Sequence, residues 1–210
     1  MKKSNKQTIG EEQANYLTHG VGLLLSSYGF GMLLHKAWHV ADPWYLAGFT
    51  IYGICLIAVY ISSTLYHWVS RPSLKRKLQI IDHCAIFLMI AGTYTPILLI
   101  TLKRHGGPYF LVFLWMVALL GIILKFKYTG KYQKLSTASY LAMGWMAIIF
   151  LKPLYLLIPS QGLWLLMAGG GLYSLGTIFF HWEKLPYAHS VWHLFVVAGS
   201  LCHFLVILEL

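Results

Sequence analysis

Long apolar runs alternate with short polar gaps along the whole chain. Seven runs are long enough to cross a bilayer, whose hydrocarbon core takes about 20 apolar residues in a helix. They cover roughly residues 16–35, 44–69, 80–102, 109–126, 136–157, 163–180 and 188–208. The gaps carry turn chemistry, as in Asp42-Pro43, Arg71-Pro72-Ser73, Gly106-Gly107-Pro108 and Pro159-Ser160-Gln161-Gly162. Lys152-Pro153 in the fifth run and Thr93-Tyr94-Thr95-Pro96 in the third predict kinks. Gly169-Gly170-Gly171 in the sixth predicts close helix packing or local bending. No internal repeat is visible. The expected fold is an all-α integral membrane protein, a seven-transmembrane helix bundle. A short cytoplasmic N-tail, residues 1–15, precedes a single transmembrane domain, residues 16–210. No small-residue cleavage site is obvious, so no removable signal peptide is expected and the first helix should insert and stay.

Composition agrees. The chain is 58% hydrophobic and 10% charged, where soluble domains carry about 25% charged residues. A net charge of +10 would point a soluble chain towards nucleic acid. Here the basic residues sit between apolar runs and match no nucleic-acid motif, so topology and anionic head groups explain them. Membrane lipids are the expected partners, with no nucleic acid and no soluble protein partner evident. With the N-terminus inside, the inward segments carry Lys2, Lys3, Lys6, Arg71, Lys75, Arg76, Lys77, Lys125, Lys127, Lys131, Lys134 and Lys184, twelve of the 16 Lys and Arg. Lys36, Lys103, Arg104 and Lys152 face out. This bias predicts a cytoplasmic N-terminus and an outside C-terminus. Cys55, Cys84 and Cys202 all lie in apolar runs and read as small buried hydrophobes rather than a disulfide framework; of the three, Cys84 alone is a minor candidate ligand.

Ionisable groups inside such spans are expensive and suggest function. His189 and His193 are four residues apart, one turn above the other on a helix face. Ser63 and His67 repeat that spacing in the second span, and Asp82 opens the third. Asn15 and His19 open the first. The charge-derived topology places all of them near one membrane depth. Three imidazoles, His67, His189 and His193, can bind Zn²⁺ and leave a fourth position for water, the catalytic rather than the structural pattern. Asp82 is then placed to shuttle the water's proton and Ser63 to hydrogen-bond water or a substrate carbonyl.

Blander readings exist for each group. Asp82 also suits a helix N-terminus, and Ser63 a hydroxyl bonded back to a carbonyl. Glu11, Glu12, Asn15, Thr18 and His19 read as a polar helix start complementing its dipole, or as a lid and outer layer of ligand support over the metal. Tyr94 is a further candidate to face the cavity. His35, His39, His105, His181 and His203 read as interfacial or interhelical residues. His83 points about 100° away from Asp82 round a helix and is a weak candidate.

These residues carry a resemblance. The stretches Glu11-Glu12-Gln13-Ala14-Asn15-Tyr16-Leu17-Thr18-His19-Gly20, Ser63-Thr64-Leu65-Tyr66-His67, Asp82-His83, Gly92-Thr93-Tyr94-Thr95-Pro96 and His189-Ser190-Val191-Trp192-His193 resemble the haemolysin III branch of the adiponectin/progestin-receptor-like (PAQR) membrane proteins. The resemblance covers nearly the whole chain. It implies a seven-helix fold in the bacterial plasma membrane with a cytoplasmic N-terminus. It also implies zinc near the cytoplasmic side on His67, His189 and His193, with Asp82 and Ser63 around the bound water. The superfamily includes alkaline ceramidases, which hydrolyse lipid amides; the bacterial branch is named for haemolysis, described as pore-forming, and linked to membrane homeostasis. The leading expectation is a zinc-dependent hydrolase of a lipid amide or ester. The alternatives are a pore-forming cytolysin or channel, and a non-catalytic sensor of membrane state with structural zinc. A pore wants a polar stripe through the bilayer, whereas the polar groups here gather towards one end.

Overall fold

The computed structural model describes residues 7–210; residues 1–6, including Lys2, Lys3 and Lys6 of the charge pattern, lie outside the described residues. Seven helices follow in order. They are α1 (Ile9–Val40), α2 (Pro43–Trp68), α3 (Pro72–Thr101), α4 (Gly107–Tyr128), α5 (Gln133–Leu157), α6 (Ser160–Phe180) and α7 (Ala188–Glu209). Each is long and apolar enough to span a membrane, and no strand occurs among the described residues. The chain is a multi-pass membrane protein.

Two helices begin well before the apolar runs that announced them. α1 starts at Ile9, not near residue 16, because Thr8 and Glu11 form a capping box. The Thr8 side chain accepts from the Glu11 N–H at 3.2 Å, and the Glu11 carboxylate accepts from the Thr8 N–H at 2.8 Å. Two otherwise orphaned helix-end donors are thereby satisfied. Residues 9–15 of the expected N-tail are therefore helical. α3 starts at Pro72, where proline's missing N–H costs nothing. Lys75, Arg76 and Lys77, expected in a loop, ride on its first turns.

Regular α geometry breaks near both proline sites where kinks are expected. After Pro96, α3 widens into a π turn, Ile97–Thr101. α5 is drawn into a 3₁₀ segment, Trp145–Phe150, just ahead of Pro153, which cannot donate to the carbonyl four residues back. Gly106 makes the turn into α4 in the left-handed region, φ 82°. At its neighbour Gly107 a Cβ would lie 2.2 Å from the Leu98 carbonyl oxygen.

α1 packs on α2, α2 on α3, α3 on α5, α5 on α6, α6 on α7, and α7 closes back on α1; α4 lies outside this ring against α3. The predicted glycine packing is real at Gly169, where a Cβ would meet the His203 ring at 2.4 Å and the Gly199 carbonyl oxygen at 3.2 Å. Away from the α1 N-terminus the bundle is filled by buried Leu33, Phe49, Tyr52, Leu98 and Leu102. At the opposite end, where α1, α3, α5 and α7 begin and α2, α4 and α6 finish, it opens into a cavity of about 1190 Å³.

Candidate metal centre

The cavity is where the intramembrane polar residues meet. His67 comes from the last turn of α2, and His189 and His193 from the first two turns of α7. One ring nitrogen from each of the three lies within 4.8 Å of the others. Zn–N bonds of about 2.0–2.1 Å hold ligand nitrogens about 4 Å apart or less, so modest ring movements gather the set on one ion. Ring centroids are 5.1 Å apart for His67 with His189, 5.1 Å for His67 with His193, and 4.6 Å for His189 with His193.

The far side of two rings is held by α1. The His67 Nδ1–H donates to the Glu12 carboxylate at 2.8 Å, and the other Glu12 oxygen takes the Lys75 ammonium at 2.9 Å. The His193 Nδ1–H donates to the Asn15 main-chain carbonyl at 3.2 Å, with the Thr18 hydroxyl oxygen also 3.2 Å away. Both rings thus carry their proton on Nδ1 and turn the Nε2 lone pair inward. The buried His67 Nε2 has no protein partner. A carboxylate or carbonyl behind each imidazole is the usual support of a metal-binding histidine. The donor set fits a borderline cation such as zinc, which takes three imidazoles and one further ligand.

Asn15 ties this support together. Its side-chain oxygen accepts the Ser190 hydroxyl at 2.6 Å, and its amide donates to Gln7 at 2.9 Å. Glu11 caps α1 and also accepts the Tyr187 N–H at 3.1 Å, just ahead of α7. The acids of the first turn therefore do more than complement a dipole: Glu12 orients a histidine and Glu11 ties α1 to the start of α7. His19 stacks face to face on His193 at 3.6 Å, and neither of its nitrogens has a partner.

Asp82 and Ser63 both line the cavity, from α3 and α2, and lie near one another there. Asp82 is not a helix cap, since α3 begins ten residues earlier at Pro72. Tyr94 does not join the group. Its phenol donates to the Gly144 carbonyl and accepts from the Ala147 N–H at 2.8 Å, bracing the 3₁₀ segment of α5. That segment has free main-chain groups for a tyrosine to reach, which spacing in α3 could not foretell. Cys84 points at the Ile122 carbonyl and stands apart from the three histidines. His181 bonds Thr137 at 3.0 Å, and His203 lies 3.3 Å from the Leu166 carbonyl, interhelical contacts as expected.

Sequence reasoning passed over Ser190, Lys75 and Lys125. Ser190 sits inside the His189–His193 spacing and could have been flagged there. In the sequence the two lysines are indistinguishable from the other basic residues that set the topology.

The family described as Haemolysin-III related matches residues 7–204, which include every residue of this centre. The chain is 46% identical over 201 residues to the Hemolysin-3 homolog of Bacillus subtilis, across 96% of this chain and 94% of that one. It is 44% identical to Hemolysin-3 of Bacillus cereus, across 96% and 92%. Human Monocyte to macrophage differentiation factor is 32% identical, across 96% and 85%. No solved structure matches the chain. By the extent of these matches, and with seven spanning helices around a buried histidine cluster, the chain belongs to the haemolysin-III-related family within the adiponectin/progestin-receptor-like superfamily.

Proposed function

We propose that the chain is a zinc-dependent hydrolase of a lipid amide or ester, with its site facing the cytoplasm. The observation that carries this is the inward convergence of His67, His189 and His193, with His67 and His193 backed through Nδ1, beside a carboxyl group in one large cavity. Zinc held by these three histidines would supply Lewis acidity to a carbonyl and make a bound water more acidic.

The chain's own groups divide the rest. Asp82 accepts the proton of the attacking water as the C–O bond forms at the carbonyl carbon. It then returns that proton to the leaving nitrogen or oxygen as the C–N or C–O bond breaks, giving a fatty acid and an amine or alcohol. Ser63 holds the Asp82 carboxyl in place. Glu12 and Asn15 keep His67 and His193 in one tautomer and orientation. The apolar side of the cavity, with Val59, Ile86, Phe180 and Val196, accommodates an acyl chain and keeps bulk water from the reacting carbonyl.

The orientation follows the basic residues at the cavity end. The name Hemolysin-3 belongs to two relatives; a pore through this bundle would have to pass the apolar plug of Leu33, Phe49, Leu98 and Leu102. The test is metal content together with lipid products. Purified protein is expected to hold one zinc per chain and to release fatty acid from a lipid amide or ester, both lost in His193→Ala. Metal-replete protein that turns over neither class, with lipids unchanged in cells carrying His193→Ala, refutes the hydrolase.

A further inference from the structure

The cavity wall formed by α3 and α5, with Lys125 of α4 behind it, carries positive charge without its usual partners. Lys125 is 5% exposed. Its ammonium donates to the Ser136 hydroxyl at 2.6 Å, lies 3.4 Å from His83 Nδ1, and stands 5.2 Å over the Tyr140 ring. Arg76, at the cavity mouth, spends two of its donors on neutral acceptors: the Gln79 side chain at 2.8 Å and the Thr129 carbonyl at 3.0 Å. Guanidinium has five donors, so three are left. Among the described residues neither cation has a carboxylate within ion-pair distance, since the ion pairs both go to Glu12.

A buried ammonium held by a hydroxyl, a neutral ring and a π face is incompletely compensated. His83, Arg76, Gln79, Ser136 and Tyr140 all line the cavity, and Lys125 lies directly behind Ser136. His83 is within electrostatic range of both cations and of His67. The nearby carboxylates are turned elsewhere. Asp82 is next to His83 in sequence but about 100° round the helix, on the side towards Ser63. Glu12 is taken by His67 and Lys75. Glu11 is taken by Thr8 and Tyr187.

We infer that this wall is an anion subsite for a phosphate group, with Arg76 at its mouth, Ser136 and His83 on its face and Lys125 beneath. The subsite stands on its own geometry. Its use as a substrate subsite rests on the hydrolase reading, and it narrows that substrate to a phosphate-bearing lipid, held by its head group while the carbonyl reaches the histidines. Arg supplies a planar fork suited to phosphate and Lys a point charge.

The test compares three probes on the full-length, zinc-loaded protein in uncharged detergent, by thermal unfolding: dioctanoyl phosphatidic acid, dioctanoylglycerol with the same tails and no phosphate, and inorganic phosphate. Phosphatidic acid is expected to raise the unfolding midpoint at concentrations at least tenfold lower than dioctanoylglycerol. Arg76→Gln and Lys125→Gln are each expected to erase most of that preference, Arg76→Lys to retain it, and Lys127→Gln, an exposed charge at the same end, to leave it unchanged. Inorganic phosphate that competes assigns recognition to the phosphate group alone; failure to compete beside tight phosphatidic acid binding assigns it to lipid-borne phosphate. Equal binding of the two lipids overturns the subsite without needing any variant to fold. So does a preference that survives in the folded Arg76→Gln, Lys125→Gln double variant. His193→Ala is expected to keep the preference, so loss of turnover there fails the hydrolase and the subsite separately.

Discussion

Glu12 offers the sharpest test of the metal centre, because it touches no metal yet sets a ligand. Its carboxylate holds the His67 Nδ1–H at 2.8 Å and the Lys75 ammonium at 2.9 Å. Removing such a partner typically costs 10- to 100-fold in metal affinity, or about 1.4–2.7 kcal/mol. Glu12→Gln keeps an acceptor but loses the charge and leaves one amide oxygen to serve two donors. It is expected to weaken zinc binding about 10-fold, and Glu12→Ala up to about 100-fold. The assay is zinc competition against a fluorescent chelator, on detergent-purified protein at fixed pH. Glu11→Gln is the control one residue away. Its amide oxygen can keep the Thr8 capping contact, since glutamine also serves a capping box, while the Tyr187 contact, made by the other carboxylate oxygen, is given up; Glu11 touches none of the three histidines, so zinc affinity is expected to stay within about twofold. Zinc affinity unchanged in a folded Glu12→Ala variant, alongside its loss in His193→Ala, would refute orientation of His67 by this carboxylate.

Other expectations follow from the same geometry. Asp82→Asn should abolish lipid turnover while leaving one zinc per chain by elemental analysis, because its carboxyl handles protons and not the metal. Tyr94→Phe should lower stability in detergent by about 1–3 kcal/mol, the worth of its two lost hydrogen bonds, with zinc stoichiometry unchanged; loss of zinc would return Tyr94 to the centre. Gly107→Ala should destabilise by about 1–3 kcal/mol, read as a lowered thermal midpoint, since the new Cβ meets the Leu98 and Leu102 carbonyl oxygens and neither can swing aside. Zinc affinity should fall as pH falls, because protons compete with the metal for three imidazoles; a flat profile from neutral to acid would refute the ligand set.

Much of the fold was legible because lipid imposes length and apolarity on every span. What hydropathy could not show was where helices continue past the lipid. Residues 9–15 and 73–79 are mostly polar, so they fall outside the apolar runs, yet Thr8 with Glu11 and Pro72 start helices there. The misplaced start of α3 made Asp82 look like a cap. The three histidines were legible from their spacing and shared depth. Their support was less so: that Glu12 faces His67, and Asn15 faces both Ser190 and His193, depends on the rotation of α1 against α2 and α7. Tyr94 failed for the same reason, since its direction is decided by α5.

The corrected start of α3 also changes how the cavity works. Once α3 extends to Pro72, one helix brings Arg76, Gln79, Asp82 and His83 to the cavity. Arg76 to Gln79 to His83 runs at spacings of three and four, one continuous face, and its upper residue meets Lys125. Asp82, about 100° round, leaves that face and turns to Ser63 on α2, beside His67. A single helix thus separates the proposed anion subsite from the carboxyl proposed to handle protons, and fixes their relative placement without any loop. A molecule spanning the two must place an anionic group a fixed distance from its reacting carbonyl, and lipids with head group and acyl linkage on one backbone are built that way. Replacing Arg76 should therefore weaken substrate binding without altering metal content, whereas replacing Asp82 should stop turnover without altering head-group preference. If the two substitutions produce the same defect, the division of α3 into two faces is wrong.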